Sequence, residues 1–184
     1  MRQVLNLKDP VGIILEGDTL SPTAARKLQR SLIYEPCNIK TRLSLIGYYF
    51  TRYHFSDLKN WYRVQNIYWC IEHLQSIKVF ESGFCMIFES EDQKHYQSAL
   101  KLWSMRLEQE KNNADLWLCF AAWIIYSDWK LAEDAVARAK RLKPEHKGVK
   151  KLAKNIEKHR ETSFKSLSEQ ELLSKSTESK TDAR

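Results

Sequence analysis

The chain has 184 residues, a net charge of +7, 43% apolar side chains, five Gly and four Pro. That length fits one domain with or without a tail, and so few turn-formers exclude a loop-rich all-β fold. Cys37, Cys70, Cys85 and Cys119 are far apart and have neither CxxC spacing nor neighbouring histidines, which points to reduced thiols and away from a disulfide framework or zinc site. No apolar run approaches the roughly 18 residues of a membrane span. Lys8, Asp9 and Pro10 interrupt the N-terminal apolar stretch, so it lacks the shape of a secretory signal. The expectation is a soluble, cytoplasmic protein without membrane insertion.

Residues 1–18 read as an extended or short helical N-terminal arm covering one end of the domain, in which Pro10, Gly12 and Gly17 punctuate apolar positions. Ser21-Pro22 is a helix start, serine as N-cap and proline in the first turn. The helix runs to about Tyr34 with Ala24, Leu28 and Leu32 at four-residue spacing. Asn38 caps a second helix, with Leu43, Ile46, Phe50 and Tyr53 on one stripe. Gly47 lies inside it, at a cost of about 1 kcal/mol relative to alanine, and close helix contact is the usual reason for such a glycine.

A third helix, near 58–75, carries Trp61, Val64, Tyr68, Ile71 and Leu74. Its aromatics Trp61, Tyr62, Tyr68 and Trp69 fit a ligand cage or a core stripe, and helical spacing favours the core. Residues 76–91 break the rhythm as an irregular apolar insertion. Phe80, Phe84, Ile87 and Phe88 must be buried somewhere, so the insertion plugs a gap between helices or lies in a groove as a lid. A fourth helix follows at about 92–111, with Glu89, Glu91 and Asp92 at its positive end. Asn113 and Asp128 are caps for two further helices. A last one, at about 145–160, sets Val149, Leu152, Ala153 and Ile156 opposite a lysine face. Residues 161–184 form a polar tail that reads as disordered beyond about 174. Within it, Ser168-x-x-Glu171 before Leu172-Leu173 has the form of a capping box.

Within 114–144, Trp117, Phe120, Ala121 and Ile124 are followed by Ala132, Val136 and Ala139, and the segment closes on Pro144. This resembles a tetratricopeptide (TPR) repeat, whose pattern is Trp-x2-Leu-Gly-x2-Tyr, then Ala-x3-Phe, then Pro. Ala121 stands for the glycine and Ile124 for the tyrosine. Leu43-x2-Ile46-Gly47-x2-Phe50 and Ala99-x3-Trp103 match the same pattern. Equivalent ends fall at Pro36, Gln75, Lys111 and Pro144, at steps of 39, 36 and 33 residues.

The resemblance implies an all-α, TPR-like stack of antiparallel helical hairpins, a right-handed α-solenoid of about seven helices over residues 19–160. It also implies a non-catalytic scaffold whose first helices line a concave groove for a protein or peptide. Carried over by position, Ser44, Tyr48 and Arg52, with Thr41 and Thr51, would line it from one helix. Leu118, Ala122, Ile125 and Tyr126, with Asp115, would line it from another. No lysine or asparagine occupies these positions, so the implied ligand is apolar rather than a C-terminal carboxylate. A weaker resemblance, at Asn66-Ile67-Tyr68-Trp69, is to the tryptophan-bearing helices of the protein prenyltransferase α subunit.

No phosphate loop, HExxH, GxSxG or dinucleotide fingerprint occurs. The five histidines are scattered, so neither an enzyme, a cofactor nor a metal site is expected. One other function competes. Between Arg138 and Arg160 there are ten Lys and Arg against two Glu, a density that suits phosphate contact by a polyanion such as RNA. Arg138, Arg141, Lys147, Lys150, Lys151 and Lys154 would form that patch. No aromatic alternates with them, so base stacking is not implied.

Overall fold

A computed structural model describes residues 9–52 and 56–162. These residues form α1 (Pro10–Asp18), α2 (Pro22–Ser31), α3 (Ile39–Phe50), α4 (Asp57–His73), α5 (Ile77–Glu81), α6 (Gln93–Gln109), α7 (Ala114–Ile124) and α8 (Trp129–Leu142). A further helix, α9, covers 147–162, and no strand occurs among the described residues. The chain is all-α, as its periodicity predicts. Residues 1–8 of the arm, Tyr53 of the second-helix stripe, and Ser168, Glu171, Leu172 and Leu173 of the tail lie outside the described residues.

Two helices exceed the expected number of about seven. α1 is the short helical alternative for the N-terminal arm, outside the 19–160 stack. Asp9 caps it by accepting from the Gly12 amide at 2.8 Å, and Pro10 occupies its first turn. α5 has only five residues, too few for a helical period to show. Elsewhere the capping chemistry is as expected. Ser21, Asn38, Asn113 and Asp128 accept from the amides of Ala24, Thr41, Leu116 and Leu131, so each satisfies one of the orphan donors of a helix start.

The helices pack in sequence: α3 lies against α2 and α4, α4 against α6, α6 against α7, and α7 against α8. α1 packs on α3, and α5 touches both α7 and α1. Ala99, Ala121 and Ala132 are fully buried. At such positions a short side chain lets two helix axes approach closely. Gly47 serves the same end, with α1 as its neighbour. A Cβ there would meet the Ile14 backbone, and one at Gly17 would meet the Ser44 backbone. Trp103 and Phe80, both fully buried, meet edge to face at 5.0 Å at the centre of the main core.

Two pairs of helices run parallel. Asn60 donates to Asp92 where α4 and α6 begin, and Gln75 donates to Glu110 just beyond their ends, 32 and 35 residues apart in sequence. Likewise His146 pairs with Asp115 at the start of α7 and α9, and the Tyr126 and His159 rings meet at 4.3 Å near their ends. α4 and α6 pack directly on each other, and a furrow runs between these parallel neighbours.

Candidate functional site

The furrow between α4 and α6 is a concavity of about 660 Å³. Its walls follow from the helical period. α4 buries Val64, Ile67, Cys70 and Ile71 inward, so the adjacent stripe of Trp61, Gln65, Tyr68 and Glu72 lines the furrow, with buried Trp69 at its base. α6 buries Ala99, Trp103 and Leu107 and presents Ser98, Lys101, Leu102 and Met105 from the other side. Trp61 and Met105 are 47% and 52% exposed, large apolar surface that nothing among the described residues covers. A smaller concavity of about 290 Å³ continues past Leu102 and Met105 to His73 and Gln109.

Trp69 is the fixed centre of the α4 wall. His73 stacks on it with ring centroids 4.5 Å apart and planes within 8°. The Arg42 guanidinium sits 4.6 Å from the Trp69 ring centroid. Arg42 is held from α3 by the Pro36 carbonyl, at 2.9 Å and 2.7 Å, and by Asn66 Oδ1 at 3.1 Å. Every one of these acceptors is neutral, and no carboxylate pairs with Arg42 among the described residues. Burial pulls the Arg42 pKa below its usual value, the mark of a cation that has lost water without gaining a counter-charge. Tyr68 bridges the walls by donating to the His95 carbonyl at 3.1 Å. At the far end, buried Arg106 donates to the Ile71 and Leu74 carbonyls and pairs with Glu110, so α6 caps the C-terminus of α4. These links hold the two walls at a set separation.

The groove expected from α3 and α7 is not an open surface. Tyr48, Leu118, Ala122 and Ile125 are buried, at 7%, 0%, 0% and 5% exposure. The chain covers both walls itself. α1 lies on α3, where Ser44 is half-buried against Gly17. Arg52 stacks on Tyr48 and binds Asp18 at 2.8 Å, at the end of α1. The Thr51 hydroxyl and then Arg52 hold the Asp18 carboxyl below its usual pKa. α5 and the turn after it lie on α7, where Trp123 Nε1 donates to the Cys85 carbonyl at 2.9 Å. Spacing identifies the helix faces, and it carries no information about which segment fills them. Of the seven residues, Tyr126 alone is a large exposed apolar side chain, and its ring rests on His159.

The basic residues are at the surface. Arg141, Lys147, Lys150, Lys151 and Lys154 are exposed and Arg138 is half-buried. Lys151 is paired with Glu81 at 2.7 Å. Val149, Leu152 and Ile156 face inward, while Ala153, expected with them, is exposed. No group of His, Cys, Asp and Glu among the described residues could hold a metal, and no described helix is long and apolar enough to cross a membrane. Helical spacing favours the core for Trp61, Tyr62, Tyr68 and Trp69, which holds for buried Trp69 and for Tyr68 and Tyr62, packed against the core clusters, but not for exposed Trp61. It misses that the outer edge of the same stripe, with Arg42 from another helix, forms a wall. No family model matches the chain, and comparison with curated proteins and with solved structures finds no similar protein.

Proposed function

We propose that the protein is a non-catalytic, TPR-like helical scaffold that binds a partner protein or peptide along the furrow between α4 and α6. One observation carries this reading. The furrow leaves Trp61 and Met105 uncovered beside a fixed cation and a stacked tryptophan, whereas the faces of α3 and α7 are filled from within. Exposed aromatic and methionine side chains around a concavity are typical of interaction sites. The parallel pairs α4/α6 and α7/α9, offset by about one repeat length, support the stacked-hairpin reading. The test is affinity capture with the full chain and two variants. Trp61→Glu with Met105→Glu should lose the partner, while Lys150→Glu with Lys154→Glu should keep it. Equal capture by all three would refute the assignment of the furrow.

The exposure of the α9 lysines favours a second reading, contact with a polyanion across α8 and α9. In that case Lys150→Glu with Lys154→Glu should abolish RNA retention, and wild-type retention should fall steeply with salt. Retention that is unchanged by charge reversal would eliminate it.

A further inference from the structure

We infer that the furrow between α4 and α6 is built for an acidic amphipathic helix, its apolar side on the Trp61–Met105 floor and its carboxylates toward Arg42 and Lys101. The inference rests on the assignment of that furrow as a binding site and names the class of partner.

Three features select the occupant. The first is shape. Between Trp61 and Glu72 the α4 wall runs about 16 Å, at 1.5 Å per residue, which matches three turns of a helix lying alongside. α4 and α6 are parallel, so the furrow is straight. A third helix nests between two others by the ridge-and-groove packing that joins the first two. No strand edge exists among the described residues, so an added β-strand has no ladder to join, whereas helix-in-groove recognition needs only an apolar trough.

The second feature is the floor. Trp61 and Trp69 line it from α4, and Leu102 and Met105 from α6. They suit large apolar anchors spaced three and four residues apart on the incoming helix. Methionine adapts its shape to different anchors, and the stacked Trp69 keeps its place.

Charge is the third feature. Arg42 is anchored by neutral acceptors alone. Those bonds use three of its five N–H donors, counting the two to Pro36, and leave two that can donate to a carboxylate. Lys101 adds a second cation on the opposite wall. Glu72, one turn along α4 from Trp69, is the one carboxylate among the lining residues, so the furrow offers two cations against a single anion. A basic helix would bring a second cation to an already uncompensated guanidinium, and like charges in contact there would oppose binding.

The experiment uses the full-length chain and four synthetic, end-blocked probes of about 16 residues. One is a Leu-faced helix with Glu on its flanks. The others are the same peptide with Lys for Glu, a scrambled version, and a proline-rich peptide. Binding is read by fluorescence anisotropy in low and high salt. The acidic helix should bind at least tenfold tighter than the other three, and salt should weaken it. Lys101→Glu, a surface change, should weaken the acidic helix tenfold or more and improve the basic one. Arg42→Gln should act in the same direction, and Trp61→Ala should weaken binding without altering the salt effect.

Preferential binding of the basic or proline-rich probe, abolished by Trp61→Ala, would overturn this inference and leave the furrow assignment standing. Binding of the acidic helix that survives Trp61→Ala and Lys101→Glu but is lost in Lys150→Glu with Lys154→Glu would place it on the basic α9 face and overturn both. If none of the four probes binds, the acidic-helix inference is wrong, and the capture experiment decides the furrow separately.

Discussion

Substituting Gly47 by alanine puts two opposing effects on one methyl group. In a helix open to solvent, alanine is the better residue by about 1 kcal/mol. At this site the methyl would point into α1, with the Ile14 carbonyl carbon only 2.7 Å from the added Cβ. The neighbour is main chain, which cannot swing aside as a long side chain would. Either the helices absorb the overlap as strain, at about 1–3 kcal/mol, or α1 retreats and Ile14, now fully buried, forfeits about 1.5–3 kcal/mol of burial. These are alternatives rather than a sum. Because the overlap is with main chain, the upper part of either range applies, about 2–3 kcal/mol; with the propensity gain of about 1 kcal/mol subtracted, Gly47→Ala should destabilise the protein by about 1–2 kcal/mol. Urea unfolding followed by tryptophan fluorescence would show it as a midpoint lowered by roughly 0.5–1 M, for a slope near 2 kcal/mol per M. Gly17→Ala, which meets the Ser44 backbone, should behave alike. An unchanged or raised midpoint for Gly47→Ala would mean that α1 does not lie on α3, and the account of the filled inner face would fall with it.

Three further outcomes follow from particular side chains. Arg106→Leu removes the buried guanidinium that bonds the Ile71 and Leu74 carbonyls and pairs with Glu110, so it should cost about 3–5 kcal/mol; a loss under 1 kcal/mol in urea unfolding would contradict the capping role. Thiol titration of the native protein should show one fast cysteine, Cys37, since Cys70, Cys85 and Cys119 are buried. Burial pushes the Cys119 thiol up to about 12, and a second fast thiol would contradict that core. Burial, and then Lys158, lowers the His159 pKa below its ordinary 6.5. The unfolded chain therefore takes up this proton first, so the stability from neutral His159 is present above about pH 6.5 and is lost as pH falls through the lowered folded value. His159→Gln should flatten the stability profile across that window, measured by urea midpoints at successive pH values.

Much of the fold was legible because its signals are local. Ser21, Asn38, Asn113 and Asp128 each announce a helix start by a side chain that reaches an amide three residues on. The buried alanines mark where helices touch. Gly47 was recognisable as a contact, but its neighbour was not, since α1 is a separate stretch whose own glycines read as breaks. α5 escaped notice because one helical turn cannot display a period. The furrow was half legible. Trp61, Tyr68 and Trp69 stand out in the sequence, yet their exposure depends on how far α6 stands from α4. That spacing is set by Arg106, Tyr68 and Asn60 through bonds to distant groups. Arg42 gives no sign in the sequence that its partners are carbonyl and amide oxygens rather than a carboxylate.

The five residues of α5 have an effect out of proportion to their number. In an array where each unit meets only the next, either end can melt while the other persists. Here α5 meets α1 and α7, Ile77 lies against Gly148, and Glu81 reaches Lys151 and Asn155 across 70 and 74 residues. One short piece thus clasps the beginning, middle and end of the fold like a keystone. Denaturation should then be all-or-none, and trimming either terminus back into α1 or α9 should loosen the whole body rather than shorten it.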